Sequence, residues 1–350
     1  MPSVFGHSYL GDLFDDSEAS EIWSAERQIK LMLLFEAAWS RSLGDAGVIS
    51  DDDAEKAAMA IETFEPDVEA IARETARDGL PVPELVRQLR MHVGPLEGCV
   101  HRGATSQDVI DTALALTIGA TLDRLQTRTS ALDRDLDGVI ARFGGRHLMA
   151  KTRMQAAKPI TVADRVSVWR GSFAACADRI DGVRTRAVRL QFGGAVGDRN
   201  VLDGKASAVA AAMSRRLGLP DPGRAWHADR AGVVEFADLL SAISGASGKM
   251  GQDLCLMAQA RGDELKLSAG GRSSAMPHKN NPILAELLVT LARFNATQVG
   301  AMHQALVHEQ ERSGAAWVLE WMVLPQMAEV SMRSLAAARE LLSKIEALGA

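Results

Sequence analysis

No proline interrupts the chain between Pro95 and Pro159, and within that stretch Ile110, Leu114, Ile118, Leu122, Leu125, Leu132, Leu136, Val139 and Phe143 recur mostly at three- and four-residue steps. That spacing lines one face of an α-helix. Thr105 or Ser106 can cap its start, and Asp108 falls in the first turn, where a negative charge meets the helix dipole favourably. At ~1.5 Å per residue such a helix approaches about 50 Å, the scale of a long bundle. A chain holding this element must supply partners that run beside it.

The partners are legible in the same way. Val162, Val166, Trp169, Phe173, Cys176, Ile180, Val183, Ala187 and Leu190 alternate steps of four and three, the pattern of a bundle seam. A third helix is predicted from about Val233 to Arg261, with Phe236, Leu240, Ile243, Met250, Leu254 and Met257 on one face, and a fourth from Pro282 toward Glu311. No stretch alternates with period two, and aromatic residues make up only 5% of the chain, so sheet architectures have little support and the expected class is all-α. Gly- and Pro-containing breaks fall at 78–83, 94–98, 193–204, 218–223 and 268–282. Residues 1–97 read as an N-terminal unit of shorter helices, and residues 98–350 as the bundle domain.

With 47% hydrophobic and 24% charged residues among 350, the composition is ordinary for a soluble globular enzyme and makes disordered and fibrous classes unexpected. A net charge of −6 argues against nucleic acid or an anionic membrane as the main partner, and leaves room for a local basic pocket. The start MPSVFGHSYLGDLFDD lacks a basic segment followed by an apolar core, and no apolar run reaches the roughly 20 residues of a membrane span. A cytoplasmic location is therefore expected. Cys99, Cys176 and Cys255 lie far apart, without a CxxC pair or histidine at metal-ligand spacing. They read as buried free thiols, and neither a metal nor another cofactor is expected.

Three segments carry chemistry. Ser268–Pro282, SAGGRSSAMPHKNNP, is a polar, glycine-rich loop between two apolar helices, offering Ser273, Ser274, His278, Lys279, Asn280 and Asn281. Those groups suit anion binding and proton movement, although composition alone also fits a surface loop. His101–Thr112, HRGATSQDVIDT, opens the long helix, and Thr105, Ser106 and Gln107, with His101 and Arg102 beside them, could bind a carboxylate at the free N–H groups there. The plainer alternative is that Thr105 and Ser106 only cap the helix. Ala150–Pro159 reads AKTRMQAAKP.

The first of these segments resembles the GSSxMPxKxNP signature of the fumarase/aspartase superfamily. The second is similar to the HxGxTSxDVxDTA segment of its adenylosuccinate lyase and carboxymuconate cycloisomerase branches, and the third to a GRTHxxxAxP pattern of its lyases. Leu190–Gly197 (LQFGGAVG), Trp226–Arg230 (WHADR) and His308–Trp321 (HEQERSGAAWVLEW) extend the resemblance over most of the chain. It implies a long helical bundle with a small N-terminal helical domain. It also implies catalysis by Ser273, acting on the proton beside a carboxylate, with Lys279 and Asn281 holding the charge that develops. Ser274, Met276 and Gln155 are implied as substrate contacts. A homotetramer follows from the resemblance too, with each active site drawn from three chains. Most members carry a further small C-terminal helical domain, which is expected to be missing here because the chain ends soon after the fourth predicted bundle helix.

Three positions depart from the pattern. Arg272 stands in place of the glycine before the catalytic serine, Asn280 in place of the arginine after the lysine, and Arg153 in place of the histidine that supports protonation of a departing amine or hydroxyl. A carboxylate, with a pKa near ~4, leaves as a stable anion and needs no such acid. The departure at Arg153 therefore favours the cycloisomerase branch, whose members convert 3-carboxy-cis,cis-muconate to 4-carboxymuconolactone in the protocatechuate branch of the β-ketoadipate pathway. A small tricarboxylate substrate requires local cations, for which Arg102, Arg153, Arg230, Arg272 and Arg312 are the candidates. Alternatives are a 4-sulfomuconate cycloisomerase, a lyase of the adenylosuccinate type, and a helical scaffold without activity.

Overall fold

The computed structural model describes residues 4–259, 264–268, 270–272, 274–276 and 279–350. Among the described residues six α-helices precede the bundle: α1 (Gly11–Phe14), α2 (Ser17–Ile22), α3 (Ala25–Asp45), α4 (Asp51–Glu62), α5 (Val68–Asp78) and α6 (Val82–Val93). Then come α7 (Ser106–Phe143), the strands β1 (His147–Thr152) and β2 (Gln155–Thr161), and helices α8 (Val162–Ala177), α9 (Ile180–Ala187), α10 (Ala206–Leu217) and α11 (Ala231–Met257). β3 (Leu265–Leu267), α12 (Ile283–Gln304), α13 (Ala315–Ser343) and β4 (Ile345–Leu348) complete the order. The class is all-α, with two small antiparallel strand pairs among the described residues, β1 with β2 and β3 with β4.

α7 is the expected long helix, with 38 residues and Thr105 and Asp108 forming a capping box at its start. At ~1.5 Å per residue it spans about 57 Å. Pairings along it give the directions of its neighbours. Asp111 meets Trp317 near one end, and Asp135 meets Arg339 near the other, so α13 runs parallel to α7. Arg170 bonds Asp133 while Arg184 bonds Asp123, so α8 and α9 run antiparallel to it. α12 packs along both α11 and α13. One contiguous hydrophobic cluster reaches from Ala19 to Leu348 and includes residues of every long helix.

Three expectations need correction. The seam from Val162 to Leu190 is not one helix: Arg179 N–H bonds the carbonyl of Cys176, three residues back, and this tight turn separates α8 from α9. The buried face nonetheless continues through Cys176, Ile180 and Val183, because the turn preserves the side of the chain that meets the core. The fourth predicted helix stops at Gln304: Leu306 and Val307 just beyond it are exposed, and the HEQERSG run from His308 has no apolar face to bury. A fifth long helix, α13, follows it. Pro325 lies inside α13, where proline removes a helical hydrogen bond, while burial of Val323, Leu324, Met327, Ala328, Val330 and Leu335 on both sides of it holds the helix together.

Among the described residues no helix is long and apolar enough to cross a membrane. Cys99 and Cys176 are buried, Cys255 is partly so, and all three are free thiols.

Candidate active site

The start of α7 is organised by one carboxylate. Asp108, fully buried, accepts hydrogen bonds from the backbone N–H of Thr105 at 3.0 Å, Gly193 at 2.9 Å and Gly194 at 3.0 Å, and lies 2.9 Å from Nε2 of His227. Two motifs separated in sequence explain one another at this point. A Cβ on Gly193 would stand 2.8 Å from the His227 ring and as close to Gly197, so LQFGGAVG supplies the clearance that the histidine of WHADR occupies. Gly194, at φ +69, makes the turn that lets two successive N–H groups converge on Asp108.

One turn further along α7, Asp111 anchors a buried ionic cluster. Arg230 donates to both oxygens of Asp111 (2.7 and 3.1 Å) and both of Glu320 (2.8 and 2.5 Å), and none of the three side chains is exposed. Trp317 Nε1, Gln107 Nε2 and Gln191 Nε2 add donors to Asp111. Burial by itself would lower the pKa of the guanidinium and raise that of the Glu320 carboxyl. Their mutual attraction, helped by Asp111 on the arginine side and His308 on the glutamate side, holds Arg230 above its ordinary value and Glu320 below it. Arg230, expected to bind substrate, is thus committed to two carboxylates in the core. It is a keystone tying α7, α11 and α13 at one end.

Gln107 is committed as well. It is buried, and besides Asp111 its amide donates to the carbonyl of His227, while its oxygen accepts from Nε of Arg312 at 2.9 Å. Arg312, exposed, also bonds Thr105 Oγ1 at 3.2 Å and the carbonyl of Ala195 at 3.3 Å. The α7 start, the GGAVG loop and the segment after α12 therefore bring Thr105, Ser106 and Arg312 together at one surface, with Gln107 bracing the arginine from below. This suits a carboxylate: helix N–H groups, a hydroxyl and a guanidinium converge.

His101 and Arg102 flank the same helix start. His101 Nδ1 lies 2.6 Å from Oε1 of Glu36, and Arg102 is exposed, with its carbonyl accepting from Trp39 Nε1. Glu36 was not among the residues singled out in the sequence. It had a signal there, as the one charged residue in the otherwise apolar run Leu31–Trp39.

The remaining candidates stand at the far end of α7. Arg153 and Met154 form the tip of the β1–β2 hairpin, with Thr152 paired to Gln155, and positive φ values of 48° and 67° make a two-residue turn of the I′ kind. Neither is glycine, and left-handed conformation costs such residues about 1–2 kcal/mol each. Residues 151–159, including Arg153 and Gln155, are exposed. Three residues separate the last residue of α7 from the hairpin, and Lys151 pairs with Glu264 next to β3. The polar loop is rooted nearby: Ser268 N–H bonds the carbonyl of Lys344 at the end of α13, and Gly271 exchanges backbone hydrogen bonds with Asn281. Arg272, Ser274, Met276 and Lys279 are exposed and Asn281 half-buried, while Asn280 donates to the carbonyl of Leu267. Ser273 and His278 lie outside the described residues.

The structure thus places the described candidates of one chain in two groups toward opposite ends of α7, a helix about 57 Å long by its rise. Among the described residues no cluster of three or more histidine, cysteine or acidic side chains is arranged to hold a metal ion.

Comparison with known proteins agrees with this architecture. A model of the Lyase family matches residues 9–297. The chain is 34% identical to a 3-carboxy-cis,cis-muconate cycloisomerase of Pseudomonas aeruginosa over 99% of its own length and 77% of the relative's. It is 31% identical to the enzyme of that name from Acinetobacter baylyi, over 95% and 76%. The crystal structure of 3-carboxy-cis,cis-muconate lactonizing enzyme from Pseudomonas putida superposes with a TM-score of 0.91 at 30% identity, covering 97% of this chain and 77% of that one. The chain belongs to the lyase family of the fumarase/aspartase superfamily.

Proposed function

We propose that this enzyme is a cycloisomerase that closes 3-carboxy-cis,cis-muconate to 4-carboxymuconolactone. The observation that carries the reading is Arg153 at the hairpin tip. An elimination that expels an amine or hydroxyl needs an acid at this point, and a guanidinium, charged throughout the physiological range, cannot serve as one. It can neutralise a carboxylate. The names borne by the relatives in Pseudomonas and Acinetobacter support the same substrate.

In the reaction, one substrate carboxylate oxygen adds to the conjugated double bond of the same molecule and forms the lactone C–O bond. The displaced electron pair moves to the carbon beside another carboxylate as an aci-carboxylate. Lys279 and Asn281, with N–H groups of the loop, hold that charge, each such donor contributing about 3 kcal/mol. Ser273 then delivers a proton to the carbon. Thr105, Ser106 and Arg312 bind a further carboxylate at the start of α7, with His101, Arg102 and Arg272 adding positive charge. Ser274, Met276 and Gln155 line the substrate.

These groups cannot meet within one chain, since the reach of a side chain is small beside the length of α7. We therefore infer a homotetramer whose bundles lie together so that the loop of one chain, the hairpin of another and the α7 start of a third enclose one substrate. Residues 1–97 act as a clamp on the α7 start, and residues 98–350 carry the chemistry. The enzyme works in the cytoplasm, without metal or cofactor. Incubation with 3-carboxy-cis,cis-muconate, 4-sulfomuconate and adenylosuccinate in turn tests the assignment. Loss of the conjugated chromophore with the first is expected, and release of fumarate from the third would overturn it.

A further inference from the structure

Glu36 is completely buried on α3, and its Oε2 has no hydrogen-bond partner among the described residues. A carboxylate half satisfied and out of water costs stability, and an apolar side chain of similar volume would avoid that cost. Packing therefore does not account for it. Two neighbours on the same helix face act in concert with it: Trp39 Nε1 bonds the carbonyl of Arg102 at 3.0 Å, and Ser40 Oγ bonds the carbonyl of Cys99 at 2.9 Å. Trp39 and Ser40 grip the backbone on either side of His101, while Glu36 holds its imidazole. That residue sits at φ 59°, a left-handed conformation that persists for a non-glycine residue only where the surroundings impose it. Its imidazole is thereby aimed at Glu36, with the side chain 14% exposed.

We propose that Glu36 is the positioning residue of His101: it fixes the imidazole through Nδ1 as a cation and so presents Nε2–H to a carboxylate of the substrate. The inference rests on the reading above, in which the segment from His101 to Gln107 receives a substrate carboxylate. A neutral ring donating through Nδ1 would offer a lone pair at Nε2, and a carboxylate would be repelled by it. The charged groups facing the ring are Glu36 from α3, Asp108 from α7 and Arg90 from α6. Burial alone would push the imidazole down. The charge and hydrogen bond of Glu36, with Asp108, outweigh burial and the repulsion of Arg90, and hold His101 above the usual histidine range. Binding then weakens as pH rises through the pKa of His101 in the folded protein.

The test is Glu36→Gln, which keeps the shape of the side chain and removes its charge, with Glu36→Met as a second variant should the amide fail to fold. Histidine ring signals in NMR are followed against pH, together with kcat/KM for 3-carboxy-cis,cis-muconate. The His101 midpoint is expected to fall by about 1–3 pH units and the alkaline limb of kcat/KM to fall with it, while Tm holds or rises. Within the shifted interval kcat/KM drops by at least about tenfold. An unmoved midpoint overturns the proposal, and so does a lowered midpoint with an unmoved limb. A wild-type chain that does not convert the substrate instead sinks the functional reading, and the midpoint alone then decides whether Glu36 keeps His101 charged.

Discussion

Arg230 has no exposed atom with which to meet a substrate, although it lies within one of the matched motifs and its charge is of the right sign. The sequence could not distinguish it from Arg312, because burial of an arginine depends on carboxylates contributed by distant segments, here Asp111 and Glu320. Breaking a buried pair leaves an uncompensated charge and costs about 3–5 kcal/mol. Glu320→Gln is accordingly expected to destabilise the fold by that amount in urea unfolding, and a change below 1 kcal/mol would refute the keystone role. The sign with pH follows from Glu320 being held below the ordinary carboxylate range. Its contribution is present above the unfolded-state pKa of about 4.3 and is lost as pH falls through the lower folded value. The wild-type advantage over Glu320→Gln should thus shrink on acidification.

At the level of elements, the start of α7 was readable to within one residue, because capping and apolar periodicity are both local properties. α13 was not, since Pro325 imitates a terminus and only tertiary burial overrules it. The β1–β2 hairpin escaped for a related reason: its turn residues Arg153 and Met154 lack the glycine or asparagine that such a turn favours, and its exposed strands have no alternation. The candidate loop and the α7 start were found as motifs, whereas the dependence of GGAVG on His227 and Asp108 needed coordinates. That dependence is testable. Asp108→Asn removes the charged acceptor shared by Gly193, Gly194 and His227, and should cost about 1–3 kcal/mol. Hydrogen exchange at the two glycine amides should accelerate, and unchanged exchange there would contradict the account.

For the whole molecule, the length of α7 decides how the site can be built. Thr105 and Arg312 at one end and Lys279 and Asn281 at the other can serve one substrate only when several chains lie side by side. Mixing inactive Ser273→Ala and Ser106→Ala variants, after dissociation and reassembly, is expected to restore part of the activity, since some hybrid sites then receive intact segments from both. No recovery in verified hybrids would argue for sites within single chains. The central claim, an intramolecular addition rather than an elimination, is tested most directly by mass spectrometry of the product formed from 3-carboxy-cis,cis-muconate in H2O and in D2O. A lactone of unchanged mass is expected in H2O, and in D2O the same lactone with one non-exchangeable deuterium on the carbon beside a carboxylate. A product that has lost or gained a fragment, or a lactone without that deuterium, would contradict it.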